Sequence, residues 1–234
     1  MNETSLGIAE SFEGLSAAHV ADACVALKTA FRMAPISIRP LFVPSRLMGR
    51  ALPVVHRGSV DVFFEALAKS APGDVLVIDN HARTDEGCIG DLTILEAAAY
   101  GIAGAVIWGA HRDSLELREI GLPVYSTGSC PAGPRAVRAD VDQHCMIGDF
   151  EVTSEDIVIS DDDGVLFIPA ATVPSVIEAA RRIASAEEAQ RRTLAAGTTL
   201  HQQFEWDQYA WRRGKDPSYT FRQHLLKINR AIET

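Results

Sequence analysis

The chain has 234 residues, enough for one core with an appendage, and folding at that size buries roughly 70% of the unfolded surface, so no covalent staple is needed. Hydrophobic residues are 47% and charged residues 23%, which excludes a disordered, collagen-like or coiled-coil architecture. With 22 basic against 31 acidic residues the net charge is −9, which repels phosphate backbones and anionic bilayers and argues against nucleic-acid or membrane partners.

Residues 8–28 read as helical, with Ser16 as N-cap of the part leading into Val20. Residues 29–47 read as irregular, interrupted by Pro35, Pro40 and Pro44. A strand is expected over Met48–His56 and an amphipathic helix over Val60–Lys69, stopped by Pro72-Gly73. The centre is the clearest part: a strand at Asp74–Asp79, a helix at Asp91–Tyr100 closed by Gly101, and a strand at Gly104–Trp108. A helix at Ser114–Ile120 ended by Gly121 and a strand from Leu122 to Tyr125 follow. This alternation predicts an α/β fold whose parallel strands are buried on both faces, with binding loops at their carboxyl ends. Beyond Pro134, short strands at Val137–Val141, Phe150–Val152, Ile157–Ser160 and Gly164–Ile168 predict a hairpin or barrel-like part turning at Asp161–Gly164. A long helix from Val173 to Ala196 ends at Gly197, and an aromatic, basic tail of residues 200–234 is expected to pack on a partner surface.

Cys24, Cys88, Cys130 and Cys145 form no C-x-x-C pair, which suits free thiols in a reducing compartment. The first residues, MNETSLGIAESFEG, carry three acids and no apolar core of a signal peptide. The longest uncharged run, Ala97–Ala110, is 14 residues, too short to span a bilayer. A soluble cytoplasmic protein is the expectation.

The P-loop, the Gly-rich dinucleotide fingerprint, the G-x-S-x-G elbow and the H-E-x-x-H motif are all absent from the sequence. Two polar clusters remain at the ends of adjacent strands: Asn80–Asp91 and Gly109–Asp113. Both precede helices, whose N-termini suit a carboxylate or phosphate. Gly90 permits close backbone approach, Asp91 and Asp113 are hard oxygen donors for Mg²⁺, and Arg112 can pair with a substrate oxygen. An Asp opening a helix is also the ordinary N-cap, and each of the two could be only that.

The segments PGDVLVID, GCIGDL, GIAGAVIWGAHRD and GLPVYSTGSCP, between Pro72 and Pro131, resemble the RraA-like family. That family holds regulators of ribonuclease E and class II aldolases acting on 4-hydroxy-4-methyl-2-oxoglutarate or 4-carboxy-4-hydroxy-2-oxoadipate. VTSEDIVISDDDGVLFIP and EEAQRRTLAAG extend the likeness over most of residues 15–200. The resemblance implies an RraA-like swivelling β/β/α-type domain over residues 1–199 with a C-terminal helical extension over 200–234. It implies a homotrimer or hexamer with sites between subunits.

The resemblance also implies roles. Asp113 would bind a divalent metal, Mg²⁺ or else Mn²⁺, with Asp91 in its water shell and Glu188 (or Glu187) reaching from a neighbouring subunit. Gly90, Asp91, Leu92 and Thr93 would receive the pyruvate carboxylate, and Arg112 the 2-oxo oxygen. Arg112, Asp113 and Asp91 then form the catalytic set for a small 2-oxo acid substrate cleaved to a pyruvate enolate, with oxaloacetate decarboxylation as a side activity. No lysine stands in these loops for a Schiff base. The alternative implied by the family is a non-catalytic, protein-binding regulator. Where family members often carry Gly-Gly after the first central strand, this chain has Asn80-His81-Ala82, so His81 and Arg83 are expected to alter the pocket wall, His81 as a pocket-lining or surface residue. Cys88 reads as a small packed residue.

Overall fold

The computed structural model describes residues 5–134 and 144–228. Helices α1 (Ser5–Ser11) and α2 (Ala17–Leu27) precede short strands β1 (Arg32–Met33) and β2 (Arg39–Pro40). The central run is β3 (Leu47–Val55), α3 (Asp61–Leu67), β4 (Val75–Gly87), α4 (Asp91–Ala99), β5 (Gly104–His111), α5 (Ser114–Ile120), β6 (Val124–Ser126) and β7 (Gly128–Ser129). After it come β8 (Met146–Ile147), β9 (Phe150–Glu151), β10 (Asp156–Asp161), β11 (Gly164–Pro169) and a turn of 3-10 helix at Ala170–Thr172. Helices α6 (Val173–Ala195), α7 (Leu200–Gln203), α8 (Trp206–Lys215) and α9 (Phe221–Lys227) complete the chain. Among the described residues no helix is long and apolar enough to cross a membrane.

The chain divides into two compact units, one holding its start up to Ala17 with Ala30–Val173, the other Ala18–Thr29 with everything from Pro174. The first unit carries a mixed sheet ordered β1-β11-β10-β3-β4-β5-β6-β2, with β7 also paired to β5. Strands β3, β4, β5 and β6 are parallel, as the strand–helix alternation predicts. The acidic turn at Asp161–Gly164 does close an antiparallel hairpin, β10–β11, and this hairpin continues the same sheet through the antiparallel pairing of β10 with β3. The strand expected at Val137–Val141 lies outside the described residues.

Period-two alternation distributes β4 between two cores. Leu76 and Ile78 pack with Phe63 and Leu67 of α3, Ile94 of α4 and Leu117 of α5. Val75 and Val77 join Val106, Tyr125, Val158 and Phe167 on the other face. Burial on both faces explains why DVLVID reads as an unbroken apolar run, and each such side chain contributes about 1.5–3 kcal/mol.

Three expectations are corrected. The helix read over residues 8–28 is two helices, separated where Gly14 adopts φ 78°, a conformation that L-residues resist. The stretch 29–47 is not wholly irregular, since β1 pairs with β11 and β2 with β6. The strand expected to stop at Asp79 runs on to Gly87 through two register shifts against β5, so most of the first polar cluster is bulged strand rather than loop.

In the second unit α6 ends two residues before Gly197, as its sequence predicts. Helices α7 and α9 begin with capping boxes, Thr199 with Gln202 and Thr220 with Gln223. The tail aromatics contact one another: the Tyr209 ring lies 5.0 Å from Phe221 and 5.3 Å from Trp206, and buried His224 donates from Nε2 to the Phe204 carbonyl at 2.7 Å.

Candidate active site

The carboxyl ends of β4 and β5 carry the polar residues singled out above. Where β4 reaches its first register shift, the buried Asp79 carboxylate accepts from the backbone N–H of His81 at 2.7 Å and of Met146 at 3.0 Å. His81 and Ala82 follow in the left-handed region, φ 54° and 56°, which is costly for residues other than glycine and makes the first register shift. Gly109 on β5 leaves room for this bulge, since a Cβ there would sit 2.8 Å from the Asn80 Cβ. Beneath it His56 Nδ1 lies 2.8 Å from Asn80 Oδ1 and 3.8 Å from Glu86 Oε1, with its ring stacked on Phe63. Arg83 is held by Asp85 at 2.9 Å and Glu86 at 3.3 Å. His81 is part-exposed, with Nδ1 3.6 Å from Asp79, and Cys88 is packed in the core beside Ile89.

After Gly87 the chain is stitched to β5: Cys88 N–H donates to Ala110 O at 3.0 Å, and Arg112 N–H to Ile89 O at 3.0 Å. This brings Gly90, the first residue before α4, alongside Arg112 and Asp113, the residues before α5. Asp113 is left-handed, φ 58° and ψ 45°. Among the described residues its carboxylate caps no amide of α5; Oδ2 instead accepts from the Asp91 N–H at 3.3 Å and from Arg112 Nε at 3.1 Å. The N-cap reading therefore fails for Asp113. Asp91 opens α4, and its carboxylate accepts from Leu92 N–H at 2.7 Å. Leu92 is exposed and Thr93 half-buried.

Three glycines make space for the Arg112–Asp113 pair. A Cβ at Gly87 would lie 2.7 Å from Arg112 Cβ, and one at Gly133 2.8 Å from Arg112 Nη1. At Gly90 it would lie 2.1 Å from Asp113 Oδ2 and 3.0 Å from Arg112 Nε. The Arg112 side chain, 44% exposed, thus runs along an open sleeve past Gly133, whose segment is anchored by Gly87 N–H to Ala132 O at 2.7 Å and Cys130 N–H to His111 O at 2.8 Å. Sequence reading gave no role to Gly87, although it opens the GCIGDL segment, or to Gly133, which lies in a run with no motif of its own. It also left buried His111 as a mere member of the second cluster, although burial, reinforced by the Arg118 charge, pushes its imidazole below the usual histidine range and toward the neutral form.

Among the described residues no three His, Cys, Asp or Glu side chains converge as a ready-made cation cage. Mg²⁺ does not need one: it takes one or two carboxylates and keeps several waters. The Asp113 carboxylate, 30% exposed and cradled over Gly90, fits that demand in donor chemistry and in access. Glu188 belongs to the second unit, where it is exposed on α6 and paired with Arg191 at 2.6 Å; Glu187 meets His19 at 3.2 Å.

A family profile described as RraA-like, Aldolase/RraA, matches residues 17–167. The chain belongs to the RraA-like family. Its relatives include protein DlpA of Legionella pneumophila, 30% identical over 209 residues, a match that covers 85% of this chain but 32% of DlpA. The chain thus spans about a third of that relative's length. A Halalkalibacterium halodurans protein, provisionally named a 4-hydroxy-4-methyl-2-oxoglutarate aldolase, is 27% identical over 161 residues, 68% of this chain and 77% of that protein. Among solved structures, Streptomyces coelicolor RraAS2, described as an unusual member of the RNase ES inhibitor RraA family, superposes with a TM-score of 0.70 at 25% identity, covering 82% of this chain and 100% of its own. A Pseudomonas syringae protein superposes with a TM-score of 0.74 at 24% identity, over 86% of this chain and 98% of that one, a likeness of fold. The RraA-like fold is the α/β architecture described above, followed here by C-terminal helices.

Proposed function

We propose that this RraA-like chain is a divalent-metal-dependent aldolase and decarboxylase that cleaves a small 4-hydroxy-2-oxo acid, of the 4-hydroxy-4-methyl-2-oxoglutarate or 4-carboxy-4-hydroxy-2-oxoadipate type, to pyruvate. The observation that carries the reading is the Asp113 carboxylate, turned from its own helix toward the start of α4 and flanked by the Arg112 guanidinium. A helix cap has no need of that arrangement, whereas a site for an ion and an oxyanion does.

Asp113 would hold Mg²⁺ or Mn²⁺ with Asp91 in its water shell, and the ion when bound supplies Lewis-acid polarisation of the 2-oxo group. The start of α4 would present the positive end of a helix dipole to the substrate's C1 carboxylate, which would take over the Leu92 amide from Asp91 Oδ1, with the Thr93 amide beside it. Arg112 places a fixed positive charge where negative charge grows on the C2 oxygen as the C3–C4 bond breaks. The Asp113 contact orients that guanidinium, and the glycines around it leave it the room to meet a substrate oxygen. Asp91 would hold the water that takes the C4 hydroxyl proton; the C4 oxygen then closes to a carbonyl and leaves as a second 2-oxo acid, while the electron pair of the C3–C4 bond enters the enolate, which is protonated at C3 to give pyruvate. Oxaloacetate loses CO₂ to the same enolate. The sequence has no lysine between Lys69 and Lys215, which leaves a Schiff-base route without its amine. Glu188 is assigned to a neighbouring subunit's site in a trimer or hexamer.

The test couples the purified protein to lactate dehydrogenase with Mg²⁺ or Mn²⁺ and either oxaloacetate or 4-carboxy-4-hydroxy-2-oxoadipate. Pyruvate release abolished both by EDTA and by Asp113→Ala supports the reading. Turnover that survives both controls overturns it. No turnover of either compound, with the protein instead binding a ribonuclease scaffold, replaces it with the regulatory reading that the likeness to RraAS2 suggests.

A further inference from the structure

The last residue of β5 is a histidine on a strand whose preceding core residues are Ala105, Val106 and Ile107. Its side chain is buried, 3% exposed, yet it is not a packing residue only, because both ring nitrogens meet hydroxyls: Nδ1 lies 2.7 Å from Ser126 Oγ and Nε2 2.9 Å from Ser114 Oγ. Ser126 Oγ also lies 3.2 Å from both Gly128 O and Gly128 N. Each hydroxyl can donate or accept, so the imidazole is served at both nitrogens in either tautomer. A buried polar bridge of this kind is stabilising only when every member is satisfied, and here each is.

The bridge spans a specific stretch. His111 and Ser114 are separated by Arg112 and Asp113, so the ring ties together the two ends of the turn that carries the candidate site. Asp113 holds a left-handed conformation that costs an ordinary residue roughly 1–2 kcal/mol and persists only where its surroundings over-determine it. Through Ser126 the same ring is joined to the end of β6, while the backbone carbonyl of His111 accepts from Cys130 N–H, in the segment that leads to Gly133 against Arg112. We infer that His111 is the positioning residue of this site, a clamp that fixes the Arg112–Asp113 turn between β6 and the first turn of α5. The inference rests on the reading of Asp113 given above; His111, with both ring nitrogens on Ser126 and Ser114, acts through the turn.

The test uses the full chain and Mn²⁺ as probe, with binding followed by electron paramagnetic resonance without substrate, alongside thermal unfolding and the kcat and KM for oxaloacetate. His111→Phe keeps the ring volume and removes both bonds. It is expected to remain folded, to weaken Mn²⁺ binding about tenfold and to lower kcat about 10–100-fold with a smaller change in KM, the scale of losses behind metal ligands. His111→Gln, which can still donate and accept, should recover part of both. A folded His111→Phe with wild-type Mn²⁺ affinity and kcat would reduce His111 to a packing residue and overturn the inference. Should His111→Phe fail to fold, Ser114→Ala, which removes one of the two bonds, decides in its place: a several-fold loss of Mn²⁺ affinity supports the clamp and no change overturns it. Asp113→Ala separates the two levels. If it leaves Mn²⁺ binding intact, the ion reading itself falls and the clamp with it; if it abolishes binding while the His111 and Ser114 variants do not alter it, only the clamp falls.

Discussion

Asp113 Oδ2 accepts from the Asp91 backbone N–H at 3.3 Å across a gap that exists because residue 90 has no side chain; a Cβ there would approach the same oxygen to 2.1 Å. Gly90 is in extended backbone, φ −137°, so an alanine is conformationally acceptable and the obstacles are side chains, the Asp113 carboxylate first and Arg112 at 3.0 Å second. Gly90→Ala should therefore fold normally while displacing Asp113 by about 1 Å, and a misplacement of that size costs about 100-fold in rate. Pyruvate release measured beside far-ultraviolet circular dichroism checks this. A folded variant with undiminished turnover would show that the Asp113–Asp91 contact is not needed for the reaction.

Arg112 offers a second test, because its Nε contacts Asp113 while Nη1 lies under Gly133. A lysine keeps the charge and loses the planar fork that reaches both places. Arg112→Lys is expected to lower kcat about 10²–10³-fold, the scale of one lost oxyanion donor, with a smaller effect on KM. Steady-state kinetics on oxaloacetate distinguishes the cases. Near wild-type kcat for the lysine variant would mean that a point charge suffices and that the sleeve has no catalytic value.

Much of this was legible in the residues. The order of strands and helices through the centre followed from apolar runs of five or six residues punctuated by glycine, and the motif pair Gly90-Asp91 and Arg112-Asp113 stood at matched ends of neighbouring strands. What stayed hidden depended on contacts distant in sequence. The bulge at His81 and Ala82 requires left-handed backbone at residues with no preference for it, tolerated because Asp79 accepts the His81 N–H and Gly109 clears the space from another strand. Gly133 and Ser126 lie on segments whose relation to Arg112 and His111 no local pattern encodes. The N-cap alternative for Asp113 could not be dismissed from spacing either, since it turns on one torsion angle and the direction of one side chain.

The two neighbouring acids of α6 are separable by experiment. Glu187 meets His19 at 3.2 Å within the second unit, whereas Glu188 is held by flanking arginines on the helix surface. Glu187→Gln should keep activity and cost at most about 1 kcal/mol, since the pair is part-exposed. Glu188→Gln should lose activity while folding normally. If Glu188 serves a neighbouring subunit, co-assembling Asp113→Ala with Glu188→Gln chains should restore part of the turnover that each lacks alone, because some sites then receive both intact residues. Loss of activity in Glu187→Gln but not in Glu188→Gln would exchange the two assignments, and absence of recovery in verified mixed oligomers would remove the sharing.

The thiols give a prediction independent of the reaction. Burial pushes the Cys24 thiol up to about 11, and burial with the nearby Asp79 charge pushes Cys145 up to about 12, where its Sγ–H faces the Val77 carbonyl at 3.5 Å. In the unfolded chain both titrate near 9.0. The folded protein therefore binds more protons than the unfolded chain above pH 9, and stability must fall as pH rises, up to about 11 for Cys24 and about 12 for Cys145. Each thiol contributes a slope of about 1.4 kcal/mol per pH unit. Below pH 9 the two contributions are constant. Denaturant unfolding between pH 8 and 11 should show this decline, and Cys145→Ala, although weaker at pH 8 because it leaves a cavity, should decline less steeply. At neutral pH, half-buried Cys130 should be the thiol that a disulfide reagent labels in the native protein, with Cys24, Cys88 and Cys145 labelled only after unfolding. Parallel stability curves for the parent and Cys145→Ala, or prompt native labelling of Cys145, would contradict its burial.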